Sequence, residues 1–233
     1  MNIKTNEATK YLAGDVVAYE KDYFTNRKYT HKQQLVERHV LEVLKWASKR
    51  LHENLLDGQG KRALDVGCAY GYTTKVLAGL GYETCGVDIS VWGTKQAKSL
   101  SLSDFLVCDA QAALPFVAER FDLVTCFDVL EHLPQPEKAL LGMFESCKGA
   151  LVCTTPNKKV EKLVRTLMRD YDETHINVKT PAAWMESVAS NLSPKTLNVE
   201  AFYDFAVGFG GKLFFKSFSV PTYGLTVRIA ARK

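Results

Sequence analysis

Ala63-Leu64-Asp65-Val66-Gly67-Cys68-Ala69-Tyr70-Gly71 is a short apolar run that ends in an acid and passes into a turn bounded by two glycines. Arg62–Gly67 reads as a buried strand, and Tyr72–Leu80 behind it has helical spacing. Glycine at such a turn lets the backbone pass close to a ligand where a Cβ would collide. Strand-to-helix turns of this kind are the ligand-binding edge of open parallel α/β sheets. The residues further along repeat the unit. Glu83–Asp88 is a second strand and Trp92–Leu100 a helix. Asp104–Asp109 and Phe121–Asp128 are the third and fourth strands, Pro136–Cys147 a helix and Ala150–Thr155 a fifth strand. Near-continuous apolar strands that end in Asp or Gly before a helix indicate a parallel sheet covered on both faces.

Before the glycine turn, Thr30 and Gln33 have capping-box spacing, and Val36, Val40, Val43, Leu44, Ala47 and Leu51 form one apolar stripe of a helix that Asp57-Gly58-Gln59-Gly60 breaks. After the fifth strand, Lys158–Arg169 reads as an amphipathic helix. Its basic face is Lys158, Lys159, Lys162, Arg165 and Arg169, and its packed face is Val160, Leu163, Val164 and Leu167. Thr180-Pro181 is an N-cap followed by proline at the first helical position. Asn198–Ala206 and Leu225–Ala231 close the fold as paired antiparallel strands. The expected architecture is α/β: a Rossmann-like, seven-stranded, mostly parallel sheet with helices on both faces and an N-terminal helical cap. The chain reads as one domain, with residues 1–60 as leader and helix, 61–156 as a cofactor-binding half and 157–233 as the substrate side and closing strands.

Composition agrees with one globular domain: 233 residues, 46% hydrophobic and 24% charged. The net charge of +4, from 30 basic and 26 acidic residues, is too small to imply nucleic-acid binding. No apolar run reaches the length of a membrane span, and the polar start (MNIKTNEATK) has no signal-peptide core, so a cytoplasmic location is expected. Of the six cysteines, Cys85, Cys108, Cys126 and Cys153 fall in apolar strands and read as buried thiols. No C-x-x-C pair seeds a zinc site, and no metal is expected. Cys68, inside the glycine turn, reads as packing beside a ligand.

Dinucleotide enzymes carry three glycines here, G-x-G-x-x-G, and set pyrophosphate on the helix N-terminus. This chain has Gly67-x-x-x-Gly71, with Asp65 two residues before the first glycine. A carboxylate there opposes a pyrophosphate and suits an ammonium. S-adenosylmethionine (SAM) carries an α-amino group and a sulfonium and no phosphate, so the turn fits SAM better than NAD. Asp88 in Gly86-Val87-Asp88-Ile89-Ser90 lies about 20 residues on, placed to accept hydrogen bonds from two ribose hydroxyls. That acid serves NAD equally well. Asp109 in Val107-Cys108-Asp109-Ala110 can accept the exocyclic amine of adenine, or simply cap a helix.

Together with Phe127-Asp128-Val129-Leu130-Glu131-His132-Leu133, these motifs resemble the class I SAM-dependent methyltransferases, especially the small-molecule type. The resemblance covers Ala63 to Pro156. It implies that Asp65, Gly67, Cys68 and Gly71 line the methionine end, that Asp88 and Ile89 take the ribose and Asp109 and Ala110 the adenine, and that Phe127 lies beside the cofactor. The run lacks the [DN]-P-P-[YF] pattern of amino-methylating nucleic-acid enzymes, which counts against adenine or cytosine amino groups as substrate; the resemblance implies a small-molecule acceptor. His132 and His175 are the acid/base candidates, the latter in Tyr171-Asp172-Glu173-Thr174-His175-Ile176-Asn177. Tyr11, Tyr19, Tyr23, Phe24 and Tyr29 serve either as a lid or as anchors of the leader. An acceptor pocket is expected between the leader and the stretch from Asp172 to Trp184. The alternatives are an NAD-dependent oxidoreductase, against which the missing third glycine and Asp65 count, and a non-catalytic SAM-fold binding module.

Overall fold

The computed structural model describes residues 19–168, 172, 174–209 and 212–233. Tyr11, Arg169, Tyr171 and Glu173 lie outside them. The strands are β1 (Arg62–Val66), β2 (Glu83–Asp88), β3 (Asp104–Val107), β4 (Phe121–Phe127), β5 (Cys147–Pro156), β6 (Thr196–Phe209), β7 (Lys212–Ser219) and β8 (Thr226–Arg232). The helices are α1 (Lys21–Asn26), α2 (Gln33–Leu51), α3 (Tyr72–Gly79), α4 (Val91–Leu100), α5 (Pro136–Ser146), α6 (Glu161–Met168) and α7 (Pro181–Leu192). They build one sheet in the order β3-β2-β1-β4-β5-β8-β6-β7. The first five strands in this row are parallel; β8 is antiparallel to β5, and β6 is antiparallel to both β8 and β7.

Alternation along the strands divides the core between the two faces of the sheet. Leu64, Val66, Val124, Cys126, Leu151 and Cys153 point to the side covered by Leu140 and Met143 of α5 and Trp184 and Val188 of α7. Ala63, Leu123, Ala150, Val152 and Ala230 point the other way, under Val40, Val43, Leu44 and Ala47 of α2 and Leu77 of α3. The chain order reverses between β1 and β4, so a crevice opens at the C-terminal ends of these strands, where open α/β sheets bind ligands.

Among the described residues the sheet has eight strands, one more than expected, because β6 runs past Ala206 and pairs antiparallel with a further strand, β7. Gly210-Gly211 between two aromatic-rich runs is the hairpin signal in the sequence. Two helix expectations are also corrected. Thr30 does not cap α2: Tyr29–Lys32 forms a 3₁₀ turn that leads into the helix, and Gln33 instead donates from Nε2 to Glu37 Oε1 at 2.9 Å. The helix ends at Leu51 on a left-handed His52 (φ 53°), well before the glycines that were to break it. α6 begins only at Glu161, and Leu163 and Leu167 are exposed rather than packed. Polar contacts of Glu161, described below, hold this helix in place of the apolar stripe. Thr180 caps α7 as expected, accepting from the Ala183 amide at 3.2 Å. No helix among the described residues is long and apolar enough to cross a membrane.

Candidate active site

The glycine turn is fastened to the end of β2. The amides of Gly67 and Cys68 donate to the Val87 carbonyl at 2.8 and 3.0 Å, and the Ala69 amide donates to Asp88 Oδ2 at 2.7 Å. Gly67 has φ 78°, a conformation open to glycine, and a Cβ on it would overlap Val129 Cγ2. Asp88 Oδ1 accepts from the Ser90 amide at 2.8 Å. Asp88 therefore shapes the loop it adjoins as well as facing the cavity. Burial pushes its pKa up, against the pull of the Ser90 and Ala69 amides. Replacing this carboxylate removes a charged acceptor, worth about 1.5–3 kcal/mol per hydrogen bond. Asp88→Ala is expected to weaken SAM binding by roughly tenfold to a hundredfold while leaving the circular dichroism spectrum intact. Calorimetric titration of wild type and variant is the check.

Asp65 is 2% exposed at the end of β1, with Oδ2 accepting from Thr74 Oγ1 at 2.9 Å and Oδ1 from Thr125 Oγ1 at 3.0 Å. Burial pushes its pKa up to about 6, against these hydroxyl bonds. The folded-state pKa exceeds the unfolded value, so this group's contribution to stability is full below pH 4 and fades as pH rises through 6. A ligand ammonium prefers the ionised form. SAM affinity is then expected to rise about tenfold from pH 5 to pH 7, as the ionised fraction does, and Asp65→Asn should flatten that dependence.

One cavity of about 740 Å³ runs from this turn across the sheet ends, within the range of small-molecule sites. Asp65, Gly67, Cys68, Asp88, Ile89, Asp109, Ala110 and Phe127 all line it, as do His132 and His175. Gly71 does not line it; it sits at the start of α3 with φ 76°, against Ala97 and Phe105. Cys68 is buried with Ala97 and Phe105, and burial drives its thiol pKa well up, which makes it a packing group. Asp109 Oδ1 accepts from the Gln111 amide at 2.8 Å, closing a local turn at the cavity wall.

The far end of the cavity holds two imidazoles, with ring centroids 4.7 Å apart and planes at 73°. His175 is 5% exposed at its side chain; Nδ1 meets Glu161 Oε1 at 2.5 Å and Nε2 lies 3.5 Å from Asp172 Oδ2. Asp172 in turn pairs with Arg27 of the leader at 2.6 Å. Burial works to raise the Asp172 pKa, but the Thr174 hydrogen bonds and the Arg27 charge hold it below the ordinary value. His132 is pushed down to about 4, first by burial and then by His175, so it is neutral at pH 7. Thr174 Oγ1 donates to Asp172 Oδ1 at 2.6 Å and so accepts from His132 Nδ1 at 2.9 Å, which leaves the lone pair on His132 Nε2. Ligand atoms of Glu131, His132 and His175 all lie within 4.8 Å of one another, a donor set of the kind that holds a divalent cation. Cysteine spacing is blind to such a cluster, which is assembled from separate loops.

The leader completes the wall. Tyr19, Tyr23, Phe24, Arg27 and Tyr29 line the cavity, and Phe24 and Tyr29 pack on Tyr70 of the glycine turn at 4.9 and 5.1 Å. Phe24 and Tyr29 thereby pin this segment to the glycine turn. Sequence reasoning passed over His39 of α2, and Tyr203, Asp204, Phe205 and Phe215 of the β6–β7 hairpin, all of which line the same space. The hairpin signal at Gly210-Gly211 offered the one route to the latter.

Fold and site together define an α/β protein with one cavity at the C-terminal strand ends, lined by the glycine turn, Asp65 and Asp88 at one end and by two imidazoles at the other. Residues 36–191 match the family described as "Methyltransferase domain", and the chain belongs to that family. It is a class I SAM-dependent methyltransferase domain, which removes the NAD-dependent alternative. It is 42% identical over 93 residues to a ubiquinone biosynthesis O-methyltransferase of Burkholderia vietnamiensis, covering 38% of each chain. It is 34% identical over 129 residues to one of Paraburkholderia phytofirmans, covering 51% of this chain and 52% of that one. The chain thus spans about half or less of the curated relatives it matches. Its fold is similar to that of a SAM-dependent methyltransferase from Archaeoglobus fulgidus, with TM-score 0.68, 19% identity and 91% and 99% of the two chains covered. Magnesium protoporphyrin IX methyltransferase from Synechocystis, solved with bound SAH, has TM-score 0.58, 15% identity and 91% and 97% coverage.

Proposed function

We propose that this protein transfers the methyl group of SAM to a hydroxyl oxygen of a small-molecule acceptor, a phenol or catechol. The observation that carries this reading is the shared cavity: the glycine turn with Asp65 and Asp88 at one end and the His132–His175 pair at the other. SAM supplies an electrophilic methyl and a good leaving group. The protein's task is to align oxygen, carbon and sulfur, exclude water and dispose of one proton. In this reading Asp65, Gly67 and Cys68 face the methionine end, Asp88 and Ile89 the ribose, and Asp109 and Ala110 the adenine. Phe127 lies beside the cofactor. His175, with both ring nitrogens facing carboxylates, positions the acceptor, and His132 offers it the Nε2 lone pair. The relatives' activity, O-methyl transfer, supports oxygen as the methylated atom.

The Glu131, His132 and His175 cluster favours a variant in which a divalent cation binds the acceptor oxygens at this end of the cavity. The test is radiolabelled methyl transfer from SAM to catechol and substituted phenols, alongside calorimetry with S-adenosylhomocysteine (SAH). Binding with transfer supports the reading. Tight SAH binding without transfer to any phenol or to a metabolite extract would favour the non-catalytic binding module.

A further inference from the structure

The apolar stripe of α6 is left open by the fold: Leu163 is 67% and Leu167 75% exposed. Strand register shows what stands beside it. Pro156 of β5 pairs with Thr226 of β8, Thr226 with Phe202 of β6, and Phe202 with Ser219 of β7. These four residues form one row across the sheet. Whatever runs beyond the row leaves by the edge on which the cavity opens: α6 after β5, the turn before β8, and the paired ends of β6 and β7. Pairing with β8 stops at Phe202, so past it β6 and β7 are held in the sheet by each other alone. The turn is fastened to the entry of α6. Asn157 Nδ2 donates to the Thr222 and Gly224 carbonyls at 3.1 and 2.7 Å, and Lys159 Nζ lies 5.5 Å from the Tyr223 ring centre. All five aromatic side chains that are exposed among the described residues lie beyond the row: Tyr203, Phe205, Phe214, Phe218 and Tyr223. Tyr203 faces Phe218 and Val207 faces Phe214 across the strands, with Lys216 opposite Phe205 between them, so alternation puts all six on one face.

We propose that this rim docks the protein on an anionic bilayer surface, with the mouth of the cavity turned toward the lipid. Tyr203 and Phe205 belong to the rim and to the cavity wall, so the two are continuous. The exposed charges set among these apolar groups are cations: Lys158, Lys159 and Lys162 in and before α6, and Lys216 on β7. The described acids of the same segments are taken up within the fold. Glu161 and Asp172 meet His175, and Asp204 meets His39. Leucine and aromatic side chains interleaved with lysines are the composition that lies in a headgroup layer, where anionic lipid supplies the counter-charge. β7 is an outer strand of the sheet, which makes a second copy the competing occupant. Two such rims would bring lysines together with no exposed acid among the described residues of these segments to meet them. Charge complementarity selects the bilayer.

The test is flotation of the full chain with phosphatidylcholine vesicles, made with or without phosphatidylglycerol, at low and high salt. Wild type is expected to bind the anionic vesicles at least about tenfold better than the neutral ones, and to be released by salt. Phe214→Glu/Phe218→Glu and Leu163→Glu/Leu167→Glu should each lower that binding by about tenfold or more. None of these four residues lines the cavity, so SAH affinity and the circular dichroism spectrum should stay as in wild type. In Phe214→Trp, tryptophan emission should move to the blue on anionic vesicles by more than any shift of the wild-type protein. No binding by wild type, or equal binding to both kinds of vesicle, overturns the proposal. So does undiminished binding by both double variants. A wild type that ignores vesicles but forms a dimer in light scattering, split by Phe214→Glu/Phe218→Glu, assigns the surface to a second copy and overturns the bilayer.

Discussion

Gly67→Val is expected to abolish measurable SAM binding, a loss of more than about 100-fold, in a protein that still folds. Two independent effects converge on this position. Its φ of 78° lies in the left-handed region, which a β-branched side chain strongly resists. The added Cβ would also overlap Val129 Cγ2, so relief requires moving the turn or the segment after β4. Both border the cavity. The loop amides that bond Val87 and Asp88 would shift with the turn, and the cofactor would lose its cradle before it met the new methyl groups. Gly71 is a useful contrast. It shares the positive φ but lies off the cavity, against Ala97 and Phe105, so Gly71→Ala should cost stability more than affinity. Titration with SAH and thermal melts of both variants separate the two. Retained SAM affinity in folded Gly67→Val would show that this turn is not the cofactor site.

The half of the cavity around the glycine turn was legible because each motif there is local. A strand, its acidic last residue and the turn behind it occupy fewer than about ten residues, and their chemistry follows from spacing alone. Asp65, Gly67, Asp88 and Asp109 could therefore be placed by position, and the structure brings them to one cavity wall. What spacing could not reveal is that Asp88 spends both oxygens on the backbone of Ala69 and Ser90. The rest of the cavity wall is assembled across long sequence distances instead. His39 meets Asp204 from the far end of the chain, and Arg27 meets Asp172. No periodicity encodes such pairs; they exist because the β6–β7 hairpin lies beside α2 and the leader folds back over the strand ends. The extra strand and the exposed stripe of α6 escaped for a related reason. Amphipathic spacing predicts that Leu163 and Leu167 pack, but helix α6 is attached through Glu161 to His175, a contact that no helical wheel contains.

His175→Ala is expected to lower turnover by about 100-fold while changing SAH affinity by less than about twofold. The imidazole stands between Glu161 and Asp172, which are 5% and 2% exposed, and it touches His132 edge-on. Removing it leaves two buried carboxylates without the group that separates them, a change that costs roughly 3–5 kcal/mol when a buried pair is broken. Some of the lost turnover could then reflect lost stability, so the double variant His175→Ala/Glu161→Gln is the deciding protein. Neutralising Glu161 should restore much of the melting temperature, whereas turnover should stay low if His175 positions the acceptor. The loss should appear in kcat and in kcat/KM alike, as expected for a contact that counts in the transition state. Chelation resolves the cation variant. If Glu131, His132 and His175 hold a divalent ion, EDTA should reduce wild-type turnover as strongly as the substitution does, and Mg²⁺ or Zn²⁺ should restore the wild type but not His175→Ala. Insensitivity to EDTA would leave His175 acting through hydrogen bonds alone. Wild-type kcat and acceptor KM in His175→Ala would remove it from the site and leave the acceptor to Tyr203, Phe205 and the aromatic leader.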